Sequence, residues 1–242
     1  MNLNVSADTD EMSKHVAEWI ISYINETLKK QDRFTFVLSG GNTPKKLYHL
    51  LSSSSYINRI DWKKIHFFWG DERYVPFTDE RNNAKMAFDN LLNLVPVVKK
   101  QIHVMQTDIE PETSAAAYEK ILHEYFYRKK HSFDLVLLGL GDNAHTLSLF
   151  PGYDIIHEKE KWVKAFYLKE QKMYRISLTV PVVNNAARIA FLVSGRDKAA
   201  SLYNILYGQH DPDLYPAQII QPFSDELYWF TDKEAAADIG NN

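Results

Sequence analysis

His145 is the side chain in this sequence most suited to moving a proton near neutral pH, because imidazole titrates there and can take a proton from water. It lies in the stretch Gly139-Leu140-Gly141-Asp142-Asn143-Ala144-His145-Thr146-Leu147-Ser148-Leu149-Phe150-Pro151-Gly152, directly after an apolar run. A lone histidine is more often structural than reactive. A glycine turn at the end of a strand is where a reactive one belongs. The stretch is a poor dinucleotide fingerprint. Its third glycine falls at Ala144, and no ribose-binding acid follows about 20 residues on.

Two further loops have the same placement. Ser39-Gly40-Gly41-Asn42-Thr43-Pro44 follows an apolar run and opens a helix, so its N–H groups and the helix N-terminus form an anion cradle. The plain alternative is an ordinary strand-to-helix turn. Gly70-Asp71-Glu72-Arg73-Tyr74-Val75-Pro76 sets three charges at the end of a strand. Arg73 suits a phosphate as a bidentate fork. Asp71 suits a base or an anchor for a substrate hydroxyl, and a solvated salt-bridging turn is the alternative. Arg81, Asn82 and Asn83 offer polar contacts or a helix cap. Arg175, Arg188, Arg196 and Lys198 lie in the last third; Lys198, just after Ser194-Gly195, is placed to meet a phosphate, although most such cations are simply solvated.

The elements that must position these loops follow from periodicity. Asp8 and Glu11 form a helix start resembling a capping box, and Met12, Val16, Trp19, Ile20 and Tyr23 recur at helical spacing to about Lys30. Strands are predicted at 34–38, 65–69, 133–138 and 189–193, with helices at about 82–92, 113–129 and 196–207. Near-continuous apolar strands alternating with helices predict an α/β fold, an open, mostly parallel sheet flanked by helices on both faces, and the length suits one such domain or two small ones. Ligands in such sheets bind beyond the carboxyl ends of the strands, where these loops lie. Ser52 to Ser55 reads as a polar turn and Asp238 to Asn242 as a frayed tail.

Composition narrows the chemistry. The 242 residues are 45% hydrophobic and 24% charged with a net charge of −3, so the surface as a whole attracts neither nucleic acid nor anionic membrane. With no cysteine, thiolate nucleophiles and Cys-ligated zinc are excluded. The first residues lack a secretory pattern, and no apolar run approaches the ~20 residues of a membrane span. These features fit a cytoplasmic setting. No metal-ligand spacing or G-x-S-x-G elbow is evident.

Taken together, the stretches from about Phe34 to Ala237 resemble the 6-phosphogluconolactonase family, within the group that includes glucosamine-6-phosphate deaminases and isomerases. The matching motifs are S-G-G-x-T-P at Ser39–Pro44, G-D-E-R-x-V-P at Gly70–Pro76, and G-x-G-x-D-G-H-T-x-S-L-F-P-G at Gly139–Gly152. Further matches are Arg175–Thr179 with Pro181, Phe191–Ala199, and Pro216-Ala217 with the Trp229 region. The resemblance implies a Rossmann-like, deaminase-like fold as a single domain over 1–242, and hydrolysis of a phosphosugar lactone without a cofactor or metal, by a monomer or small homo-oligomer. It implies His145 as base, with Asn143 and Asp71 beside it. The phosphate anchor is implied in Ser39, Gly40, Gly41, Asn42, Thr43, Arg73 and Lys198. Oxyanion donors are expected near Gly141 or from Arg175 and Arg188. The family's D-G-H is Asn143-Ala144-His145 here; an amide accepts a bond from imidazole but cannot stabilise imidazolium by charge. Asp142 or Asp71 is expected to compensate. Two other readings are an amino-sugar-phosphate deaminase or isomerase, and a sugar-phosphate-binding protein with weakened catalysis. Deaminases carry Asp-Glu-Tyr where this chain has Asp71-Glu72-Arg73.

Overall fold

The computed structural model describes residues 2–239. In chain order its strands are β1 (Asn2–Ser6), β2 (Phe34–Leu38), β3 (Ile65–Trp69), β4 (Asp71–Arg73), β5 (Leu135–Gly139), β6 (Val163–Leu168), β7 (Met173–Leu178), β8 (Arg188–Val193) and β9 (Leu227–Asp232). The α-helices are α1 (Thr9–Leu28), α2 (Asn42–Leu51), α3 (Asn83–Ala87), α4 (Pro111–Phe126), α5 (Val180–Asn184) and α6 (Ala199–Tyr207).

Six strands form one sheet in the order β1-β9-β8-β5-β2-β3, with every pairing parallel. Alternate side chains feed two cores. Phe34, Phe36, Leu38, Leu135 and Leu137 pack on one face against Val16 and Ile20 of α1 and Leu47 and Leu51 of α2. Val37, Val136, Leu138 and Phe191 pack on the other against Tyr118, Leu122 and Phe126 of α4. Both faces are therefore buried, which is why the central strands carry almost no polar residue. The chain steps from β2 outward to β3, then returns past β2 to β5 and β8. This reversal leaves a crevice between the carboxyl ends of β2 and β5.

A second sheet, of order β4-β7-β6, is antiparallel and was not visible in the sequence pattern. β4 has only three residues, all charged, and such a stretch reads as a loop. Burial alternates imperfectly along β6 and β7 because one side of the hairpin covers the core and the other meets solvent. The edge strand β1 escaped notice because it is mostly polar.

Helix starts were more legible. Asp8 caps α1 by accepting the Glu11 N–H at 2.8 Å, while Glu11 accepts from the Ala7 N–H at 2.5 Å. α1 stops at Leu28, two residues short of the expected end. Asn82 caps α3 through the Lys85 N–H, and a π-helical turn at Phe88–Leu92 carries that helix to its expected end. The C-terminal tail is tethered as far as described: Asp238 pairs with Arg196 at 2.9 Å, and Ile239 packs on the core. Residues 240–242 of the expected frayed tail lie outside the described residues.

Leu137 is fully buried in a central strand, so Leu137→Ala is expected to cost about 2–5 kcal/mol. Urea unfolding checks this: the midpoint should fall with the m-value unchanged.

Candidate active site

The carboxyl ends of β2, β3 and β5 converge on a polar cavity of ≈ 160 Å³ lined by Ser39, Gly40, Gly41, Asp71, Arg73, Asn83, Gly139, Gly141, His145, Leu147 and Arg175. A wider cleft of ≈ 490 Å³ adjoins it. It is lined by Asn143, Phe150, Tyr153, Leu168 and Tyr215 among others, and His145 borders both spaces.

The Ser39 turn is held by a buried tyrosine of α2. Tyr48 Oη donates to the Ser39 carbonyl at 2.8 Å and accepts from the Ser39 N–H at 2.9 Å. Gly41 has φ of +101°, a conformation glycine adopts without strain. Gly40 has no room for a side chain, because a Cβ there would run into the Asn83 amide. Among the described residues the N–H groups of Gly40, Gly41, Asn42 and Thr43 donate to nothing, as befits the open end of a helix. The first two residues line the cavity, so their unpaired N–H groups are available there. Asn42 lines a neighbouring polar space with Lys45 and Arg81, and Thr43 lines neither.

The charged loop after β3 is the strand β4, and its period of two sorts its side chains. Asp71 and Arg73 face the cavity, beside Arg175 and Ser177 of the partner strand β7. Glu72 faces the other way. Fully buried, it accepts the N–H groups of Asn83 (2.6 Å), Ala84 (2.8 Å) and Arg73 (2.8 Å), so it caps α3. Burial pushes its carboxyl up to about 7, although these N–H bonds pull the other way. The capped Asn83 in turn donates to the Asp71 carbonyl at 2.9 Å.

Asp71 is not a free base. Its Oδ2 accepts from Arg175 Nη2 at 2.8 Å and Ser148 Oγ at 2.7 Å, and Arg175 Nε donates to Ser148 at 3.0 Å. Burial raises its carboxyl, but Arg175 and then Arg73 outweigh burial and hold it below the usual range. Asp71 was expected as a base or as an anchor for a substrate hydroxyl; in the structure its carboxylate braces Arg175. Arg175 is 2% exposed yet still borders the cavity, and Gln171 receives its Nη1 at 3.1 Å. Arg73 gives one bond, to the Arg81 carbonyl at 3.0 Å, and its buried Nε has no partner among the described residues.

His145 is fixed on three sides. Its ring stacks on Phe150 with centroids 4.1 Å apart. Gly141 lies against it so closely that a Cβ there would overlap the imidazole. Its Nδ1 meets Asn143 Oδ1 in a short bond. The same oxygen also receives the His145 backbone N–H at 3.3 Å, which identifies it as the acceptor. Nδ1 therefore carries the proton and Nε2 the free lone pair. Burial, chiefly, lowers the imidazole from 6.5 to about 4; Asp71 and Asp142 raise it, while Arg175 and Lys198 lower it. Ala144 and Leu147, one before and two after the histidine, have φ of +62° and +54°. Such left-handed turns cost L-residues about 1–2 kcal/mol each. They are held by bonds from Ala217 N–H to the Ala144 carbonyl (3.1 Å) and from Thr146 Oγ1 to the Gly139 carbonyl (2.9 Å).

One of the expected substrate ligands lies elsewhere. Arg188 starts β8, at the end of the sheet away from the cavity. It pairs with Glu226 at 3.3 Å and covers the Tyr23 ring at 3.9 Å, so it cannot be an oxyanion donor. Lys198 pairs with Asp197 at 2.8 Å and does not line the cavity, although it stands near enough for its charge to lower the His145 imidazole. Sequence reading gave no role to Tyr48, Ser148, Gln171 or Glu72. Only for Glu72 was there a signal, the alternation of 71, 72 and 73 had they been taken as a strand.

Comparison with known proteins places this geometry. Residues 7–229 match the family model for glucosamine-6-phosphate isomerases/6-phosphogluconolactonase. A 6-phosphogluconolactonase of Nostoc sp. is 35% identical, covering 98% of both chains. One from Synechocystis sp. is 37% identical over 91% of this chain and 90% of its own. The solved 6-phosphogluconolactonase of Trypanosoma brucei superposes with a TM-score of 0.87 at 26% identity, covering 99% of this chain and 98% of that one.

Two outcomes are expected. Tyr48→Phe leaves both backbone groups of Ser39 unpaired and should lower unfolding free energy by about 1–3 kcal/mol, measured by denaturant titration. Between pH 6.5 and about 4 the unfolded chain binds a proton at residue 145 that the folded chain refuses. Stability should therefore fall as pH is lowered through that window, and less steeply in His145→Gln. NMR titration of the ring should give a midpoint well below 6.5.

Proposed function

The chain belongs to the glucosamine-6-phosphate isomerase/6-phosphogluconolactonase family, and from that membership we infer that it hydrolyses 6-phospho-D-glucono-1,5-lactone to 6-phospho-D-gluconate, in the oxidative pentose phosphate pathway. It is a carboxylic ester hydrolase. The observation that carries the residue assignments is the shared cavity: His145, its tautomer set by Asn143, borders the same space as the free N–H groups of Gly40 and Gly41 and the guanidinium of Arg73.

In this reading the phosphoryl group meets Gly40, Gly41 and Arg73, which fixes the far end of the substrate and leaves C1 beside His145. Nε2 takes a proton from water as the water oxygen bonds to C1. The carbonyl electrons move onto oxygen, and the resulting oxyanion faces the Arg175 guanidinium or N–H groups near Gly141. When the carbonyl reforms, the bond from C1 to the ring oxygen breaks, and the imidazolium returns its proton to that oxygen. The roles of Asn143 and Asp71 are positional: one sets the tautomer, the other braces Arg175. Asn42 borders the neighbouring polar space, and the long Lys198 side chain, whose charge acts on His145, can reach a phosphoryl group after leaving Asp197. A cytoplasmic setting completes the proposal and rests on the cysteine-free composition.

A coupled lactonase assay tests the roles. His145→Ala should lower kcat about 10²–10⁴-fold. Arg73→Ala should act mainly on KM. Asn143→Asp should raise kcat, because a carboxylate on Nδ1 stabilises imidazolium. Full activity in His145→Ala, or ammonia release from glucosamine 6-phosphate, would reject the reading.

A further inference from the structure

The other end of the sheet carries a concentration of positive charge that the hydrolytic site does not use. Lys29, Lys30 and Arg33 lead into β2; Arg128, Lys129, Lys130 and His131 lead into β5. Because β2 and β5 are neighbours, with Phe36 opposite Leu135, the two segments meet at their amino ends. They are clamped together. Gln31 Nε2 donates to Asp134 Oδ1 at 2.9 Å, and Arg33 Nη2 donates to the Tyr125 carbonyl at 3.3 Å with its guanidinium 4.5 Å above the Tyr125 ring. Between them lies a cavity of ≈ 240 Å³ bordered by Arg33, Lys129, Lys130 and His131.

The single acid in that cavity does not neutralise it. Asp134 turns its carboxylate to the Thr35 N–H and Oγ1, both at 2.7 Å, and to Gln31. Among the described residues no ion pair includes Lys29, Lys30, Arg33, Arg128, Lys129, Lys130 or His131. In a chain of net charge −3 such a group of unpaired cations is self-repelling. Cations just after α1 and α4 do favour the negative ends of those helices. That accounts for a charge near each last turn. It does not account for Arg33, which sits at the mouth of a strand and is held flat on a tyrosine.

We propose that this cavity binds a group of two or more linked phosphoryl units, as in inorganic pyrophosphate or a nucleoside diphosphate. Arg33, half-buried and fixed by stacking, presents a fork to one phosphoryl unit. The flexible ammonium groups of Lys129 and Lys130 close on the next. A five-residue strand separates this pole from the His145 cavity, roughly 15–20 Å, so the two sites bind independently.

Isothermal calorimetry with pyrophosphate and with ADP at low salt tests the site. Saturable binding is expected, weakened by salt and by at least about tenfold in Lys129→Gln/Lys130→Gln. That variant should hydrolyse lactone at the wild-type rate. Equal affinity for the two probes identifies phosphoryl units alone as the recognised group, and tighter ADP identifies a nucleotide; either supports the site. Both lysines are exposed, so the variant tests binding without disturbing the core. The proposal is overturned by no saturable binding, or by binding that survives in the double variant. It is also overturned if binding is lost in Arg73→Ala, which would place the probe in the His145 cavity.

Discussion

Everything at the carboxyl end of the sheet depends on one buried ion pair, Asp71 with Arg175. Both side chains are almost wholly removed from water, and a carboxylate in that position is tolerable only with its charge matched and its oxygens filled. Satisfying it requires β4 to pair with β7, in the register that sets Asp71 against Ser177 and Arg73 against Arg175. It also requires the His145 loop to deliver Ser148 between the two charges. Thus a second sheet, a strand end and the His145 loop are fixed by one requirement. Removing either charge would strand the other, which explains why such a pair persists even where its net stabilisation is small.

The same economy shows in how the loops exclude side chains. Gly40 yields its volume to Asn83, Gly70 to Leu147 and Gly141 to the imidazole. The first two replace a Cβ by a group from a different segment and so interlock the strand ends, while Gly141 makes room for the imidazole of its own loop. Glu72 adds the outward half of this arrangement. By capping α3 it seats Asn83 against both Gly40 and Asp71. The anion cradle and the Asp71–Arg175 pair therefore share a boundary.

The parallel sheet was legible because burial on both faces writes an apolar run with a glycine after it, as in 34–41 and 135–141. β2 and β3 fall where periodicity placed them; β8 begins one residue earlier, and β5 is displaced toward its carboxyl end. The antiparallel sheet was not legible, since three charged residues carry no strand signal until their partner is known. The same blindness explains Arg188. Distance along the chain from Ser194 suggests proximity to the site, but a strand carries its first residue to the far end. For Asp71 the missing information was its partners, Arg175 and Ser148, which come from distant segments.

The replacement of an acid by Asn143 separates two duties that a carboxylate performs together. Orientation is kept: the amide oxygen takes both the Nδ1 proton and the His145 N–H, so the lone pair on Nε2 is defined. The amide brings no charge, and the imidazole is lowered to about 4, chiefly by burial. A bound phosphoryl dianion has the same sign as Asp71 and would act on imidazolium in the same direction, raising its pKa. It would also offset Arg175 and Lys198, which press the other way. A substrate so held brings with it part of the charge that residue 143 does not supply. In the proposed reaction the histidine would then be a better proton acceptor with substrate bound, and binding and base strength would be coupled through the cavity they share.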